Sequence, residues 1–204
     1  MRNKFVYLGI TTPDRREATK LLIRNFSPAD AAALRQAAEA LWKMEQREYQ
    51  YVAADLLNRH QAALTFEDLQ WLLDLVLTNP WWDTVDCFYK VVGSIGLRSG
   101  VKGRRAMDRA IKHENMWMRR VAMLHQIGMK QHTDTARLFN YADRLAPEKD
   151  FFIRKAIGWA LRDYAWHDWR AVEKYLETAE ERLSGLSLRE ARKNFAKLRK
   201  TGQS

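Results

Sequence analysis

Cysteine, proline and glycine are scarce in this chain of 204 residues. The single cysteine, Cys87, excludes an internal disulfide and is typical of a reducing compartment, so we expect a cytoplasmic location. Four prolines and nine glycines provide few breaks, and no convincing alternation of apolar and polar residues predicts a strand. Helix-forming residues dominate what remains, which predicts an all-α fold.

Long apolar runs are missing as well. No stretch approaches the ~20 apolar residues that a membrane-spanning helix needs. The first residues, from Met1 to Phe5, lack the long apolar core of a secretory signal peptide. We therefore expect no association with a membrane.

The sequence signatures of several enzyme classes are absent. There is no glycine-rich phosphate loop and no Gly-x-Ser-x-Gly nucleophile elbow. The five histidines lack metal-ligand spacing; they are His60, His113, His125, His132 and His167. Cys87 lies next to an apolar stripe and is interpreted as structural. The sequence thus predicts neither a metal nor a cofactor.

Positive charge, in contrast, is abundant. Lys and Arg number 35 against 25 Asp and Glu, a formal net charge of +10. Such an excess favours a polyanionic partner, nucleic acid before an anionic membrane surface, although solubility alone is an alternative explanation. Eight tryptophans and seven tyrosines favour nucleic acid, because aromatic planes stack on bases and sugars.

Helix start signals recur along the chain. Capping patterns begin at Ser27, Thr65, Asn79 and Ser187, the last as a capping box with Glu190. Asn115 and Asp168 are weaker candidate caps. Further helices are predicted over approximately 45–60, 102–112, 116–129, 134–146 and 150–165.

About ten short helices with brief turns allow two all-α architectures, a compact bundle or a solenoid of stacked helix pairs. Successive pairs are spaced by roughly 35–40 residues, which is within the range of HEAT repeats. No linker rich in Ser, Gly or Pro divides the chain. We therefore predict one domain over residues 1–204.

The segment after Asn79-Pro80 carries the most informative pattern. At about 100° per residue, an apolar stripe forms from Trp81, Val85, Phe88, Val92 and Ile95. Trp82, Asp86 and Tyr89 fall on a flank beside this stripe, followed by Gly93. A carboxylate between two aromatic rings suits a cationic ligand or a cationic transition state.

A second flank of this kind lies in the helix predicted after Asp150. Trp159 falls off its apolar stripe and shares a face with Phe152, Lys155 and Arg162. An aromatic ring among cations suits phosphates and sugars, although packing against the next helix pair is an alternative.

In the helix after Asn115, Arg120 lies at the border of the apolar stripe. It is placed either to reach a phosphate or to neutralise a carboxylate such as Asp83 or Asp86. Cations of the C-terminal helix and of Lys102–Lys112 are interpreted as non-specific phosphate contacts. Those of the C-terminal helix are Arg189, Arg192, Lys193, Lys197, Arg199 and Lys200.

Several of these stretches resemble the AlkD-type DNA alkylation repair enzymes, bacterial glycosylases built from HEAT-like repeats. The matching stretches run in order over nearly the whole chain: Tyr7-Leu8-Gly9-Ile10, Pro13-Asp14-Arg15-Arg16, Leu41-Trp42, Arg47-Glu48, Trp81-Trp82-Asp83-Thr84-Val85-Asp86, Trp117-Met118-Arg119-Arg120, 151–162 with its Gly158-Trp159 pair, Leu186-Ser187 and Arg189-Glu190-Ala191. Members often have a longer helical segment before the first stretch.

The resemblance implies a right-handed α-solenoid with a concave basic face that binds double-stranded DNA. It implies a catalytic Asp86, flanking tryptophans at Trp82 and Trp159, and an active-site arginine at Arg120. Contacts to DNA are expected from Tyr89, Phe152, Lys155, Arg162, Arg192 and Lys193. Such members excise cationic alkylpurines, including 7-methylguanine and 3-methyladenine, without trapping the base in a pocket. We expect a monomer that is associated with the bacterial nucleoid when it is bound to DNA.

One carboxylate would suffice for this chemistry, because a cationic purine leaves as a neutral base and needs no general acid. Positive charge should therefore matter more than the size of the lesion. The alternatives are a non-enzymatic HEAT-like module that binds nucleic acid and a repeat scaffold that binds protein. Release of base from alkylated DNA distinguishes the glycosylase hypothesis from both of these alternatives.

Overall fold

The computed structural model describes residues 4–201, and this part of the chain contains helices and no strand. The all-α prediction is confirmed; Met1, Arg2 and Asn3 of the N-terminal stretch lie outside the described residues. The α-helices are α1 (Thr12–Asn25), α2 (Ala31–Trp42), α3 (Arg47–Arg59), α4 (Leu69–Leu77), α5 (Trp82–Arg98), α6 (Gly100–Ala110), α7 (Met116–Leu124), α8 (Thr135–Leu145), α9 (Phe151–Ala179), α10 (Gly185–Arg192) and α11 (Phe195–Thr201). Short 3-10 helices cover Gln61–Ala63, Phe66–Asp68 and Lys130–His132.

The chain divides into two compact units between Gly103 and Arg104. In the first unit α3 packs against α1, α2 and α5, and α5 also packs against α4. In the second unit α9 packs against α7, α8, α10 and α11. Contacts between neighbouring helices are those that stacked repeats use, and a repeat array divides in this way without being two domains. The single domain over 1–204 and the concave basic face stay predictions.

Most of the predicted helix starts are found where the sequence places them. The Asp30 carboxylate accepts the N–H of Ala33 at 2.8 Å at the start of α2, and Asn115 accepts that of Trp117 at 2.9 Å at the start of α7. Asp68 accepts the N–H of Thr65 at 2.8 Å, as a capping box requires.

Two predicted starts are wrong. The fifth α-helix begins at Trp82 because Asn79 adopts a left-handed conformation, φ 54°, which is incompatible with a helical cap. In α10 the N-cap is Ser184, whose hydroxyl accepts the N–H of Ser187 at 3.1 Å. Ser187 is buried inside that helix and donates its hydroxyl to the carbonyl of Arg154 at 2.9 Å, so it is not the cap.

Several helices differ from expectation, and the one predicted over 116–129 ends at Leu124. The helix predicted over 150–165 continues to Ala179, with a break at Asp168, where φ is −143° and ψ is 84°. The Asp168 side chain accepts the N–H of Ala171 at 2.9 Å, so it caps the helix that resumes there. Helix α1 was not predicted; it is capped by Thr11 and has Pro13 in its first turn.

The predicted apolar stripes form the core of each unit. Val85, Phe88, Val92 and Ile95 of α5 are at most 1% exposed, and Trp81 is 9% exposed. In α9 the predicted stripe is also buried; it comprises Ile153, Ile157, Ala160, Leu161 and Tyr164. These stripes leave the flanks with Trp82 and Trp159 outside the core, which is where the candidate site residues lie.

A glycine allows one close helix approach near the end of the first unit. A Cβ atom at Gly103 would lie 2.1 Å from the carbonyl oxygen of Gly96, so the crossing of α5 and α6 requires glycine at position 103. Among the described residues, no helix has the length and apolar character to cross a membrane.

Candidate functional site

The flank of α5 carries the predicted residues of the first unit. Trp82 is 41% exposed at the first turn, and Asp86 and Tyr89 follow, both half-buried. Gly93, one turn further on, is buried. The structure therefore brings Trp82, Asp86 and Tyr89 together along one side of α5, next to the core stripe, as the spacing predicts.

Asp83, one turn before Asp86 and Cys87, is bound into the interior. Its carboxylate accepts two bonds from the Arg47 guanidinium, at 2.8 and 3.2 Å, and one from the Tyr51 hydroxyl. Arg47 is fully buried and also donates to the Asn79 carbonyl and the Thr84 hydroxyl, at 3.0 and 2.8 Å. A buried ion pair whose remaining donors are satisfied is structural, so Asp83 is already committed.

The residue after Arg47 fixes the N-terminal segment. Glu48 is buried and accepts the N–H groups of Leu8 and Gly9, each at 3.0 Å, and of Ile10 at 3.4 Å. Burial opposes the charge, but these backbone donors hold the pKa of Glu48 below its ordinary value. Gly9 has φ 82°, so its glycine is required for this turn.

Cys87 lies beside the candidate acid and is not a nucleophile. Burial, then the nearby carboxylates of Asp55, Asp86 and Asp83, raises the pKa of its thiol to about 12. A thiol that stays protonated at neutral pH reacts slowly. The interpretation of Cys87 as a structural residue agrees with this environment.

In the second unit, the face of α9 that carries Trp159 meets α10. Trp159 is half-buried, between Lys155 and Arg162 along the helix. Both cations pair with the same Glu190 carboxylate, each at 2.6 Å, and Lys193 approaches it at 3.8 Å. The hydrogen bond from Lys155 holds the pKa of Glu190 below its ordinary value, against the effect of burial.

Gly158 explains why this cluster forms. A Cβ atom at Gly158 would lie 2.5 Å from Cβ of Glu190 and 2.7 Å from the Ser187 carbonyl oxygen. The missing side chain lets α10 approach α9 closely and brings Glu190 to the cations. The Gly158-Trp159 pair thus joins a packing requirement to a half-buried aromatic ring.

Arg120 is buried, only 3% exposed, and donates to the carbonyl of Phe152 in the first turn of α9. Phe152 packs on Trp117, with ring centroids 5.2 Å apart. Arg119, its neighbour, pairs with Glu148 at 2.6 Å instead. The predicted contacts of Arg120 with phosphate and of Phe152 with DNA stay predictions, and the structure gives both residues a packing role.

The remaining predicted cations lie on the surface of the second unit. Arg192 is exposed and pairs with Glu180 at 3.1 Å, and Lys193 is exposed beside Glu190. Lys197 lies over the Trp166 ring at 5.3 Å, and Arg199 over Trp169 at 5.9 Å. These cations are accessible to a polyanion, and their contact with DNA stays a prediction.

Sequence reasoning missed the residues that hold these positions. Arg47 and Glu48 stood in the resemblance without any role. Glu190 appeared in a predicted capping box and in one matching stretch, without a role at the site. Nothing in the neighbouring residues indicates that it faces Lys155, because that contact joins positions 35 apart.

Within the described residues, no group of three or more His, Cys, Asp or Glu side chains is arranged to hold a metal ion.

Comparison with known proteins identifies the family. A family model described as DNA alkylation repair enzyme matches residues 1–195. The chain belongs to this family. A solved structure, a predicted DNA alkylation repair enzyme from Enterococcus faecalis, is 32% identical, with a TM-score of 0.85 over 94% of this chain and 89% of that one. No curated protein matches the chain.

Membership in the family supports a role in DNA repair, with DNA as the substrate.

Proposed function

We propose that the protein is a monofunctional DNA glycosylase that hydrolyses the glycosidic bond of cationic alkylated purines, such as 7-methylguanine and 3-methyladenine. The observation that carries this proposal is the position of Asp86 on α5. It is half-buried one turn from the exposed Trp82, whereas Asp83 is committed to Arg47. Of the two acids in the motif, Asp86 is therefore the candidate for chemistry.

The charge of the lesion makes one carboxylate sufficient. An N7- or N3-alkylated purine departs with the bonding electron pair as a neutral base, so no acid must protonate it. Positive charge then develops on the deoxyribose, and the Asp86 carboxylate stabilises it. Water adds to the anomeric carbon and loses its proton to solvent, which completes hydrolysis.

Aromatic rings beside Asp86 contribute to the same stabilisation. The faces of Trp82 and Tyr89 attract a cationic sugar electrostatically. The resemblance adds Trp159 and Arg120 as participants. We assign Arg120 a supporting role, because it is buried and its bond to the Phe152 carbonyl anchors the start of the helix that carries Trp159.

Replacement of Asp86 by Asn tests the role of the charge while it keeps the shape. We expect release of 7-methylguanine from a methylated duplex to fall by about 10²-fold or more, since lost transition-state stabilisation of this kind is typically several kcal/mol. Circular dichroism should be unchanged. Lys90→Ala, on an exposed position of the same helix, is the matched control and should excise normally. Full excision by Asp86→Asn would overturn the assignment.

The same assay tests selectivity with a panel of lesions. A bulky cationic 7-alkylguanine should be released within about tenfold of the rate for 7-methylguanine, a barrier difference of about 1.4 kcal/mol. Hypoxanthine, which is small and neutral, should stay in the DNA. Release of hypoxanthine together with exclusion of bulky cations would indicate a base-reading pocket and contradict the mechanism. Salt-dependent binding without any base release would favour the non-enzymatic module.

A further inference from the structure

A basic groove lies between α1 and α3 in the first unit. Its volume is about 470 Å³, and it opens to solvent. Four cations line it: Arg16, Lys20 and Arg24 from α1, and Arg59 from α3. Two carboxylates, Glu17 and Asp55, also line it, so the groove has a formal excess of two positive charges (four minus two).

The two carboxylates are largely engaged. Asp55 pairs with the buried Arg15 at 3.2 Å and approaches Arg16 only at 3.9 Å. Glu17 is 3.4 Å from Lys20, in an exposed pair that contributes little. Among the described residues, Arg24 and Arg59 make no ion pair. The cations of the groove are therefore available to an external anion.

The spacing of the α1 cations fits a nucleic-acid backbone. Arg16, Lys20 and Arg24 are four residues apart, so they form a row on one side of the helix about 12 Å long. One strand of a duplex presents a phosphate every ~3.4 Å along the axis, or three to four phosphates over that length. Arg24 and Arg59 lie in the last turns of their helices, where the helix dipole favours cations. The dipole does not account for Arg16 and Lys20, which lie earlier in α1.

The groove is connected to the helix that carries Asp86. Asn58 of α3 donates to the carbonyl of Cys87 on α5 at 2.8 Å. Asp55, which lines the groove, is close enough to help raise the pKa of the Cys87 thiol. Helix α3 thus lines the groove and also contacts α5, the helix that carries Asp86, within the same unit.

We infer that the groove between α1 and α3 binds the phosphate backbone of the DNA duplex whose damaged nucleotide lies at Asp86. This inference rests on the proposed function for the position of the lesion. The groove contacts would be independent of the lesion, because they involve phosphates only. An anionic membrane surface would use the same charges in a different way, and the experiment separates it from DNA.

The test measures binding of an undamaged duplex at several salt concentrations. Arg16 and Lys20 are 66% and 62% exposed, so the double variant Arg16→Glu/Lys20→Glu should fold normally. Loss of two phosphate contacts should lower the slope of log affinity against log salt by about two and weaken binding by roughly 10- to 50-fold at moderate salt. Arg16→Ala/Lys20→Ala should give the same change in slope with a smaller loss of affinity.

The matched control is Lys43→Glu/Lys174→Glu, which changes the net charge equally at two exposed positions outside the groove. Equal weakening in the control would assign the effect to net charge and overturn the inference. Normal DNA binding by the groove variant, with lost binding to vesicles of phosphatidylserine, would overturn it in favour of a membrane. A groove variant that binds undamaged duplex weakly supports it even if no lesion is released, so the two proposals fail separately.

Discussion

In the first unit the Arg47–Asp83 pair is closed off from solvent, whereas in the second unit Glu190 meets its cations near the surface. The Arg47 side chain is 0% exposed and that of Asp83 7%. Lys155 and Arg162, the partners of Glu190, are 36% and 23% exposed, although the Glu190 side chain is itself only 11% exposed. The cations of the two pairs therefore lie in different environments, one fully buried and the other partly exposed to water.

Exposure decides what each cluster is able to do. Neither water nor an external anion can replace Asp83 as the partner of Arg47, because the guanidinium is not accessible to them. Three cations share the single Glu190 carboxylate, so that cluster keeps an excess of two positive charges (three minus one). We predict that a DNA phosphate replaces Glu190 as their partner when DNA is bound. The first cluster holds the fold and the second is suited to bind.

The largest effect should come from breaking the closed pair. Asp83→Asn or Arg47→Met leaves one buried charge without its counter-ion and should lower the free energy of unfolding by about 3–5 kcal/mol. Urea denaturation monitored by circular dichroism measures this. The double variant Arg47→Met/Asp83→Leu should recover much of the loss, because neither charge then remains. If each single variant lost less free energy of unfolding than the double variant, the structural role of the pair would be contradicted.

A smaller effect is expected from His125, which is buried in the second unit without a carboxylate in contact. Burial, together with the charge of Arg137, lowers the pKa of His125 to about 4, against the attraction of Asp108 and Asp134. Its Nδ1 donates to the Ala122 carbonyl at 2.6 Å, which fixes the neutral tautomer. Where Arg47 keeps its charge by pairing, His125 stays neutral.

The sign of its pH dependence follows from this shift. Above pH 6.5 the histidine is neutral in both folded and unfolded chains and contributes nothing. Below that pH the unfolded chain binds a proton that the folded one excludes, so the free energy of unfolding should fall by about 2 kcal/mol between pH 7 and pH 5. His125→Gln should flatten the dependence in urea titrations. An equal fall in that variant would assign the acid sensitivity to other groups.

The sequence predicted the features that depend on neighbouring residues. A helical period of 3.6 placed Val85, Phe88 and Ile95 in the core and left Asp86 outside it, because position along a helix determines the face. The cap at Asn115 was predicted for the same reason, since its bond to the Trp117 N–H spans two residues.

Contacts between distant positions could not be predicted in this way. Arg47 pairs with Asp83, which is 36 positions further along the chain. Arg47 also donates to the carbonyl of Asn79, the residue with a left-handed backbone before the start of α5. Lys155 was predicted as a DNA contact, and its pairing with Glu190 was missed because nothing in the neighbouring residues indicates it. Periodicity reports which face a side chain occupies, but the partner on that face comes from packing.

The smallest effect should come from Glu190→Gln, which keeps the shape of the cluster and removes its negative charge. The free energy of unfolding should change by less than about 1 kcal/mol, because Lys155 and Arg162 are partly exposed and stay hydrated without the carboxylate. Affinity for an undamaged duplex should rise several-fold, since phosphates no longer compete with a carboxylate for Lys155 and Arg162. Lys155→Ala should have the opposite effect and reduce the salt slope by about one. If neither variant alters DNA binding, this face of α9 does not contact DNA, and the contrast between the two clusters is one of burial alone.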